Sequence, residues 1–167
     1  MKALYIGRFQ PFHNGHLKVL QKIAKKYDEI IIGIGSSQYS NTLENPFTLE
    51  ERKLMIINSL EEIDINNYRI IELPDIHKYP KWVSHVVSII SDFDIIISNS
   101  PLTKRLFSER GYIVEETQLY NRKEYTGEEI RKKIINDGYW KDTIPKAVYK
   151  IIENIEGVSR LKKLSNE

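Results

Sequence analysis

Cysteine is absent from this chain of 167 residues. The sequence therefore excludes a disulfide framework, a thiol nucleophile and a cysteine zinc site. A charge excess of one sign is also lacking, because 25 Lys and Arg stand against 23 Asp and Glu, a formal net charge of +2. A nucleic-acid-binding protein normally shows a strong basic excess, so we expect no nucleic-acid partner.

Long hydrophobic runs are missing as well. The longest apolar stretches, such as 30–34 and 95–97, are far shorter than the roughly 18 residues that span a bilayer. The first residues, Met-Lys-Ala-Leu-Tyr-Ile-Gly-Arg, contain no signal-peptide core of useful length. We therefore expect a soluble, cytoplasmic protein without membrane contact, in which residues 1–167 form a single domain.

Short β-branched runs alternate with amphipathic segments along most of the chain. Two of the runs, 30–32 and 95–97, consist of Ile alone, as in strands covered on both faces of a parallel sheet. We predict five strands and at least six helices. The strands are 3–6, 29–34, 69–73, 94–97 and 112–115. The helices cover 14–26, 81–91 and 145–152, or begin at Thr48, Ser100 and Thr126.

This alternation predicts an α/β fold with a Rossmann-like, doubly wound parallel sheet and helices on both faces. Residues from about 120 to 167 form a helical C-terminal segment, and we expect its last part, 160–163, to be a basic tail. Ligands of such sheets bind at the carboxyl ends of the strands.

The segment from Gly7 to His16 follows the first strand at such an end and leads directly into a helix. Gly7 permits a close approach of the backbone to a ligand, and Arg8 adds a permanent cation. His13 and His16 share one face of the helix start, where unpaired N–H groups and the helix dipole attract phosphate. The alternatives are two surface histidines or a metal site, and no carboxylate lies near the pair in sequence to complete the latter.

Two further segments carry candidate ligands. Thr126 begins a capping box, and Arg131 follows in the first turns of that helix, where a lone Arg is usually solvated. Between the third strand and its helix lie Asp75 and Trp82. Trp82 begins an apolar stripe, so a core position is the alternative to a ligand contact.

The segment from Gly7 to His16 resembles the His-x-Gly-His signature of the nucleotidyltransferase superfamily. Within that superfamily, the sequence resembles the archaeal-type nicotinamide mononucleotide (NMN) adenylyltransferases over residues 2–163. The similar stretches are 34–38, 42–48, 51–52, 82–83, 101–102, 105–107 and 121–131. The resemblance implies the reaction of ATP with NMN to give NAD and pyrophosphate, by direct in-line transfer of AMP.

The resemblance also implies a role for each matching residue. The catalytic residues would be His13, His16, Arg8 and Arg131, which hold phosphates and neutralise charge. The ATP site would comprise Gly7, Arg8, Phe9, His13, Gly15, His16, Thr126 and Arg131. Trp82 would stack on the cationic pyridine ring beside Asp75. Mg²⁺ would be held mainly by phosphates and water instead of protein ligands. A homo-oligomer, commonly a hexamer, is implied as well.

Four departures from the family pattern concern the acceptor and loop regions. Tyr79 stands where an Asn is common, and Asn99-Ser100 where a Gly-Asn pair is common. Asn41 stands where a His is usual, and Glu44 where some members carry an Arg. The choice between NMN and nicotinic acid mononucleotide therefore stays open. Other phosphate acceptors, such as flavin mononucleotide, are alternatives within the enzyme class. A nucleotide sensor without turnover is the alternative outside it.

Overall fold

Five parallel strands form one sheet in the computed structural model, which describes residues 1–117 and 125–167. The strands are β1 (Lys2–Gly7), β2 (Glu29–Gly35), β3 (Tyr68–Leu73), β4 (Ile95–Ile97) and β5 (Ile113–Glu115). Their order across the sheet is β3-β2-β1-β4-β5. The register pairs Leu4 with Ile31 on one side and with Ile96 on the other.

The strand order reverses between β1 and β4, which makes the sheet doubly wound and confirms the predicted fold class. Ile30, Ile31 and Ile32 are fully buried, so β2 is covered on both faces, as its run of Ile predicts. Residues that follow the strands at their carboxyl ends are brought to one edge of the sheet.

Seven α-helices lie within the described residues. They are α1 (Asn14–Lys26), α2 (Leu49–Glu62), α3 (Tyr79–Ile89), α4 (Pro101–Glu109), α5 (Gly127–Ile135), α6 (Lys146–Asn154) and α7 (Gly157–Ser165), with a 3-10 turn at Lys141–Thr143. The predicted capping box at Thr48 is present, because Thr48 and Glu51 exchange side-chain and backbone hydrogen bonds. No helix of the described part is long and apolar enough to cross a membrane.

The chain divides into two compact units. The sheet unit contains residues 1–8, 21–37 and 67–117, and its core surrounds Leu4, Ile31, Val86 and Phe107. The helical unit contains residues 9–20, 38–66 and 125–167. In it α2 packs against α6, while α7 contacts both α5 and α6. The expectation of one domain over 1–167 stays a prediction.

The predicted basic tail at 160–163 is wrong, because these residues belong to helix α7. Leu161 is fully buried, and Arg160 forms a two-pronged ion pair with Glu51 at 2.6 and 2.8 Å. Val158, Leu161 and Leu164 recur at helical spacing and predict this helix, but the basic residues between them obscure the pattern. Residues 121–124 of the family-like segment, and the start of the C-terminal segment near 120, lie outside the described residues.

Candidate functional site

Two stacked imidazoles lie at the N-terminal end of helix α1, in the helical unit. The ring centroids of His13 and His16 are 3.5 Å apart, and the ring planes differ by 19°. Nδ1 of His13 accepts hydrogen bonds from the backbone N–H groups of Gly15 (3.1 Å) and His16 (3.3 Å). Nδ1 of His16 accepts one from the N–H of His13 at 3.1 Å. The predicted pairing of the two histidines at the helix start is thus present.

These hydrogen bonds assign the same tautomer to both rings. Because each Nδ1 is an acceptor, each neutral imidazole carries its proton on Nε2. The sequence reasoning expected unpaired N–H groups at this helix start, and for His13, Gly15 and His16 the expectation is wrong. Their N–H groups are satisfied by the imidazoles, so the donors that these rings offer a ligand are the Nε2–H groups.

Burial keeps both histidines neutral. The side chain of His13 is only 7% exposed, and desolvation lowers its pKa to about 3. Burial also lowers the pKa of His16, and the neighbouring His13 acts in the same direction. A pair of neutral N–H donors can stabilise negative charge on a ligand by donating hydrogen bonds to it.

Gly15 lies directly against the His13 ring. A Cβ atom at this position would be 2.9 Å from Cε1 and 3.0 Å from Nδ1 of His13. The same atom would lie 3.2 Å from Cβ of Tyr125. The glycine of the His-x-Gly-His element is therefore required by space: any larger residue displaces the imidazole.

Aromatic side chains pack against the histidine pair at the ring of His16. The ring of Phe12 stacks on His16 at 5.5 Å, and the ring of Phe9 meets His16 edge-on at 4.8 Å. Both phenylalanine rings are buried, so the ring of Phe9 supports His16, and its predicted contact with ATP stays a prediction. Phe9 has a left-handed backbone (φ 54°), which costs about 1–2 kcal/mol in a non-glycine residue.

Arg131 and Thr126 take defined positions at the start of α5. The Oγ1 of Thr126 accepts a hydrogen bond from the N–H of Glu129 at 3.1 Å, which is one of the two hydrogen bonds of the predicted capping box. Arg131 is 8% exposed, and its Nη1 donates to the carbonyl of Gln10 at 2.8 Å. The usual solvated Arg is therefore excluded. Gly127 makes room for this contact, because a Cβ there would lie 2.9 Å from Nη1 of Arg131.

The sheet unit carries a cavity of about 370 Å³ at the carboxyl ends of its strands. Its lining includes the predicted residues Gly7, Arg8, Asp75 and Trp82. The other lining residues are Ile6, Gly35, Ser36, Leu73, Pro74, His77, Lys78, Tyr79, Leu102 and Thr103. Strand order explains this assembly, because β1, β2 and β3 are neighbours and each is followed by residues of the lining.

Asp75 is held in the cavity wall by polar contacts. Its Oδ1 accepts a hydrogen bond from the N–H of His77 at 2.8 Å and lies 3.7 Å from Nδ1 of the same residue. The hydroxyl of Ser36 is 3.5 Å from Oδ2. Ser36 and His77 both have left-handed backbones (φ 47° and 54°), and strained residues of this kind often mark functional sites.

Trp82 combines the two alternatives left open by the sequence. Its ring meets Phe107 edge-on at 5.3 Å and packs against the core of the sheet unit. It also lines the cavity and is only half-buried. Trp82 is therefore both a support of the core and a wall available to a ligand.

Sequence reasoning missed Gln10, Ser36, His77 and Tyr125. Gln10 is 3% exposed. The sequence signal that could have found it is a single amide side chain flanked by Phe9 and Phe12 in the candidate loop. The ring of Tyr125 stacks near His13 at 6.5 Å. Of the residues that differ from the family pattern, Tyr79 lines the cavity, whereas Glu44 is exposed.

No group of three or more His, Asp or Glu side chains is placed to hold a metal ion within residues 1–117 and 125–167. The donors gathered in the helical unit are imidazole and guanidinium N–H groups, which bind anions. A divalent cation fits this chemistry as an ion carried on phosphate oxygens and water.

The strand order and the His-x-Gly-His element at the first strand–helix turn define a nucleotidyltransferase-type α/β protein. The chain belongs to the cytidylyltransferase-like family, whose model matches residues 4–138.

Curated relatives match the chain over nearly its whole length. A Picrophilus torridus protein named nicotinamide-nucleotide adenylyltransferase is 49% identical over 165 residues, covering 99% of this chain and 98% of its own. A Methanococcus aeolicus protein of the same name is 50% identical, covering 99% and 95% of the two chains. These matches confirm the resemblance to the archaeal-type family.

Solved structures share the fold. A bifunctional NMN adenylyltransferase/ADP ribose pyrophosphatase from Francisella tularensis, complexed with AMP and a manganese ion, superposes with a TM-score of 0.81 at 25% identity. The superposition covers 99% of this chain and 52% of that one, so this chain spans about half of the Francisella protein. A nicotinate-nucleotide adenylyltransferase candidate from Vibrio parahaemolyticus shares the fold at a TM-score of 0.66 and 14% identity.

Proposed function

We propose that this protein is a nicotinamide-nucleotide adenylyltransferase, which converts ATP and NMN to NAD and pyrophosphate. Full-length relatives at 49–50% identity bear this name. The observation that carries the proposal at the level of chemistry is the stacked pair of neutral imidazoles with Nε2–H donors at the start of α1.

The helical unit supplies the phosphate site. Nε2–H groups of His13 and His16 donate to the α-phosphate oxygens, on which charge grows during transfer. Neutral donors suit this task, since each imidazole donates a hydrogen bond and keeps its proton throughout the transfer. Arg131, whose Nη1 is fixed by the carbonyl of Gln10, supplies the positive charge that neutralises the outer phosphates. Arg8, in the lining of the sheet-unit cavity, supplies a second cation for substrate phosphates.

The reaction needs no general base. A phosphate oxygen of NMN, already anionic, forms a bond to the α-phosphorus of ATP while the bond from that phosphorus to the bridging oxygen breaks. The electron pair leaves with pyrophosphate, and no covalent enzyme intermediate forms. The protein then contributes position and charge stabilisation, as in other phosphoryl transfers. Mg²⁺ would be held by the triphosphate and water and would neutralise part of the triphosphate charge.

The cavity of the sheet unit supplies the acceptor site. Trp82 offers an aromatic face and Asp75 a carboxylate, and both attract a cationic pyridinium ring. Because a flavin or a phosphopantetheine carries no such cation, these acceptors would not benefit from both groups. The cavity volume of about 370 Å³ lies in the range of small-ligand sites.

The test is an acceptor panel with purified protein, ATP and Mg²⁺. NMN, nicotinic acid mononucleotide, flavin mononucleotide and phosphopantetheine are each supplied, and pyrophosphate and dinucleotide are measured. We expect turnover with NMN and a raised KM for NMN, but not for ATP, in Asp75→Asn. Turnover with flavin mononucleotide alone would replace the proposed acceptor. ATP binding without turnover on any acceptor would favour the nucleotide sensor.

We further propose a cytoplasmic homo-oligomer, which in the family that the chain resembles is commonly a hexamer. Light scattering on the purified protein gives its mass directly. A mass of one subunit, 19.6 kDa, would contradict this part of the proposal without touching the activity.

A further inference from the structure

We propose that Gln10 is a positioning residue, which sets the geometry of the histidine pair and of Arg131 by anchoring their shared loop to the backbone of Phe47. Gln10 lies in the loop between Arg8 and α1, in the helical unit. The inference rests on the proposed function only for its effect on turnover.

The side chain of Gln10 forms a two-way bridge with one backbone unit. Its Nε2 donates to the carbonyl of Phe47 at 3.0 Å, and its Oε1 accepts from the N–H of Phe47 at 2.9 Å. Gln10 is 3% exposed and Phe47 is fully buried. One side chain thus pairs with both the backbone N–H and the backbone carbonyl of Phe47. Removing the amide leaves a buried donor and a buried acceptor without these hydrogen bonds.

The backbone of Gln10 carries the second link. Its carbonyl accepts the hydrogen bond from Nη1 of Arg131 at 2.8 Å. The side chain thus fixes the peptide unit that in turn orients the guanidinium. Gly127 lies beside this bond, since a Cβ there would be 3.1 Å from the carbonyl oxygen of Gln10.

The segment to which Gln10 is anchored is itself held by helix α7. Nη1 of Arg160 donates to the carbonyl of Pro46 at 3.0 Å, next to Phe47. A Cβ on Gly157 would lie 3.3 Å from the Phe47 ring, so α7 also packs directly on that ring. Phe47 is therefore a fixed reference point and not a flexible loop residue.

The histidine pair lies three to six residues downstream of Gln10. The intervening Phe12 is fully buried and stacks on His16, so a shift of the loop reaches the imidazoles through a packed ring. Gln10 reaches no substrate through its side chain, because both polar ends of the amide are committed to Phe47. It acts through His13, His16 and Arg131.

The test combines two measurements on the full chain. Steady-state kinetics give kcat and KM, and nitrogen-15 NMR without ligand reports the imidazole signals. The chain has 4 His, and His77 and His85 in the sheet unit serve as internal references. Gln10→Met keeps the length of the side chain and removes both hydrogen bonds. We expect kcat to fall about 10- to 100-fold with little change in either KM, as a misplaced catalytic group predicts. The signals of His13 and His16 should shift, while those of His77 and His85 should not.

Two variants keep the test decisive. Gly127→Ala crowds the bond between Arg131 and Gln10 without touching the bridge to Phe47, and it serves if Gln10→Met fails to fold; a reduced kcat is expected. Ser59→Ala is the control, because Ser59 is 1% exposed and donates a buried hydrogen bond to Met55 within α2. It should lower the melting temperature and leave kcat and the imidazole signals unchanged.

Unmoved signals of His13 and His16 with wild-type kcat in the Gln10 and Gly127 variants would overturn the proposal. A loss of kcat in Ser59→Ala as large as in Gln10→Met would overturn it too, because the effect would then follow from lost stability alone. If the wild-type protein shows no turnover, the proposed function fails instead, and the imidazole signals still decide the positioning role.

Discussion

Replacing Gly15 by Ala tests the geometry of the histidine pair with one methyl group. The added Cβ would lie 2.9 Å from Cε1 of His13, whereas ordinary contacts of this kind begin near 3.4 Å. The imidazole must therefore move by about half an ångström. Since a displacement of about 1 Å can cost a hundredfold in rate, we expect kcat to fall by about tenfold.

Stability should respond differently from activity. Ala is preferred to Gly inside a helix by about 1 kcal/mol, and this preference offsets part of the crowding. We therefore expect a small change in melting temperature beside a large change in kcat. Gly138→Ala is the matched control, because its nearest neighbour, Cβ of Lys133, would be at an ordinary 3.4 Å.

Steady-state rates and thermal melting on the two variants provide the comparison. A Gly15→Ala variant with wild-type kcat and wild-type stability would refute the reasoning, since the ring position of His13 would then not matter for turnover. Equal losses of kcat in both glycine variants would refute it as well, because only one of them crowds the imidazole.

Three further predictions concern pH, the acceptor and helix α7. The folded-state pKa of His13, about 3, lies below the unfolded value near 6.5, so the unfolded chain binds the proton first. Stability therefore falls as the pH drops from about 6.5 towards 3, by about 1.4 kcal/mol per unit for this residue; denaturation of His13→Asn against pH should show a smaller slope, to which His16 still contributes, and an unchanged slope would contradict the burial of His13. Trp82→Ala should raise the KM for NMN about tenfold and leave that for ATP unchanged, through lost cation–π attraction; an unchanged KM with a lower melting temperature would assign Trp82 to the core alone. Arg160→Met should reduce the free energy of unfolding by about 2 kcal/mol through the lost pair with Glu51, whereas Lys162→Met, at an exposed pair, should change it little; equal effects would contradict the assignment.

Much of the fold is predictable because its signals are local. The all-Ile run of β2 predicts a strand buried on both faces, and Thr48 with Glu51 predicts the start of α2. The position of the histidine pair follows from a strand, a glycine and a helix in sequence. The sheet order then brings residues after β1, β2 and β3 to one cavity, as parallel topology requires.

The contacts that refine the site are long-range and leave little trace in the sequence. The hydrogen bond from Arg131 to Gln10 joins residues 121 positions apart, and no local sequence pattern predicts it. The pairing of Nδ1 with backbone N–H groups depends on side-chain rotation, which sequence spacing does not fix. Helix α7 was missed because basic residues mask the apolar spacing of Val158 and Leu161.

During turnover the adenylyl group of ATP should pass intact to NMN. ATP labelled separately at the α- and γ-phosphates, supplied with Mg²⁺ and NMN, reports the fate of each phosphate. We expect the α-label in NAD and the γ-label in pyrophosphate, one of each for every ATP consumed. Release of the γ-label as inorganic phosphate, with the α-label left in ADP, would contradict this expectation.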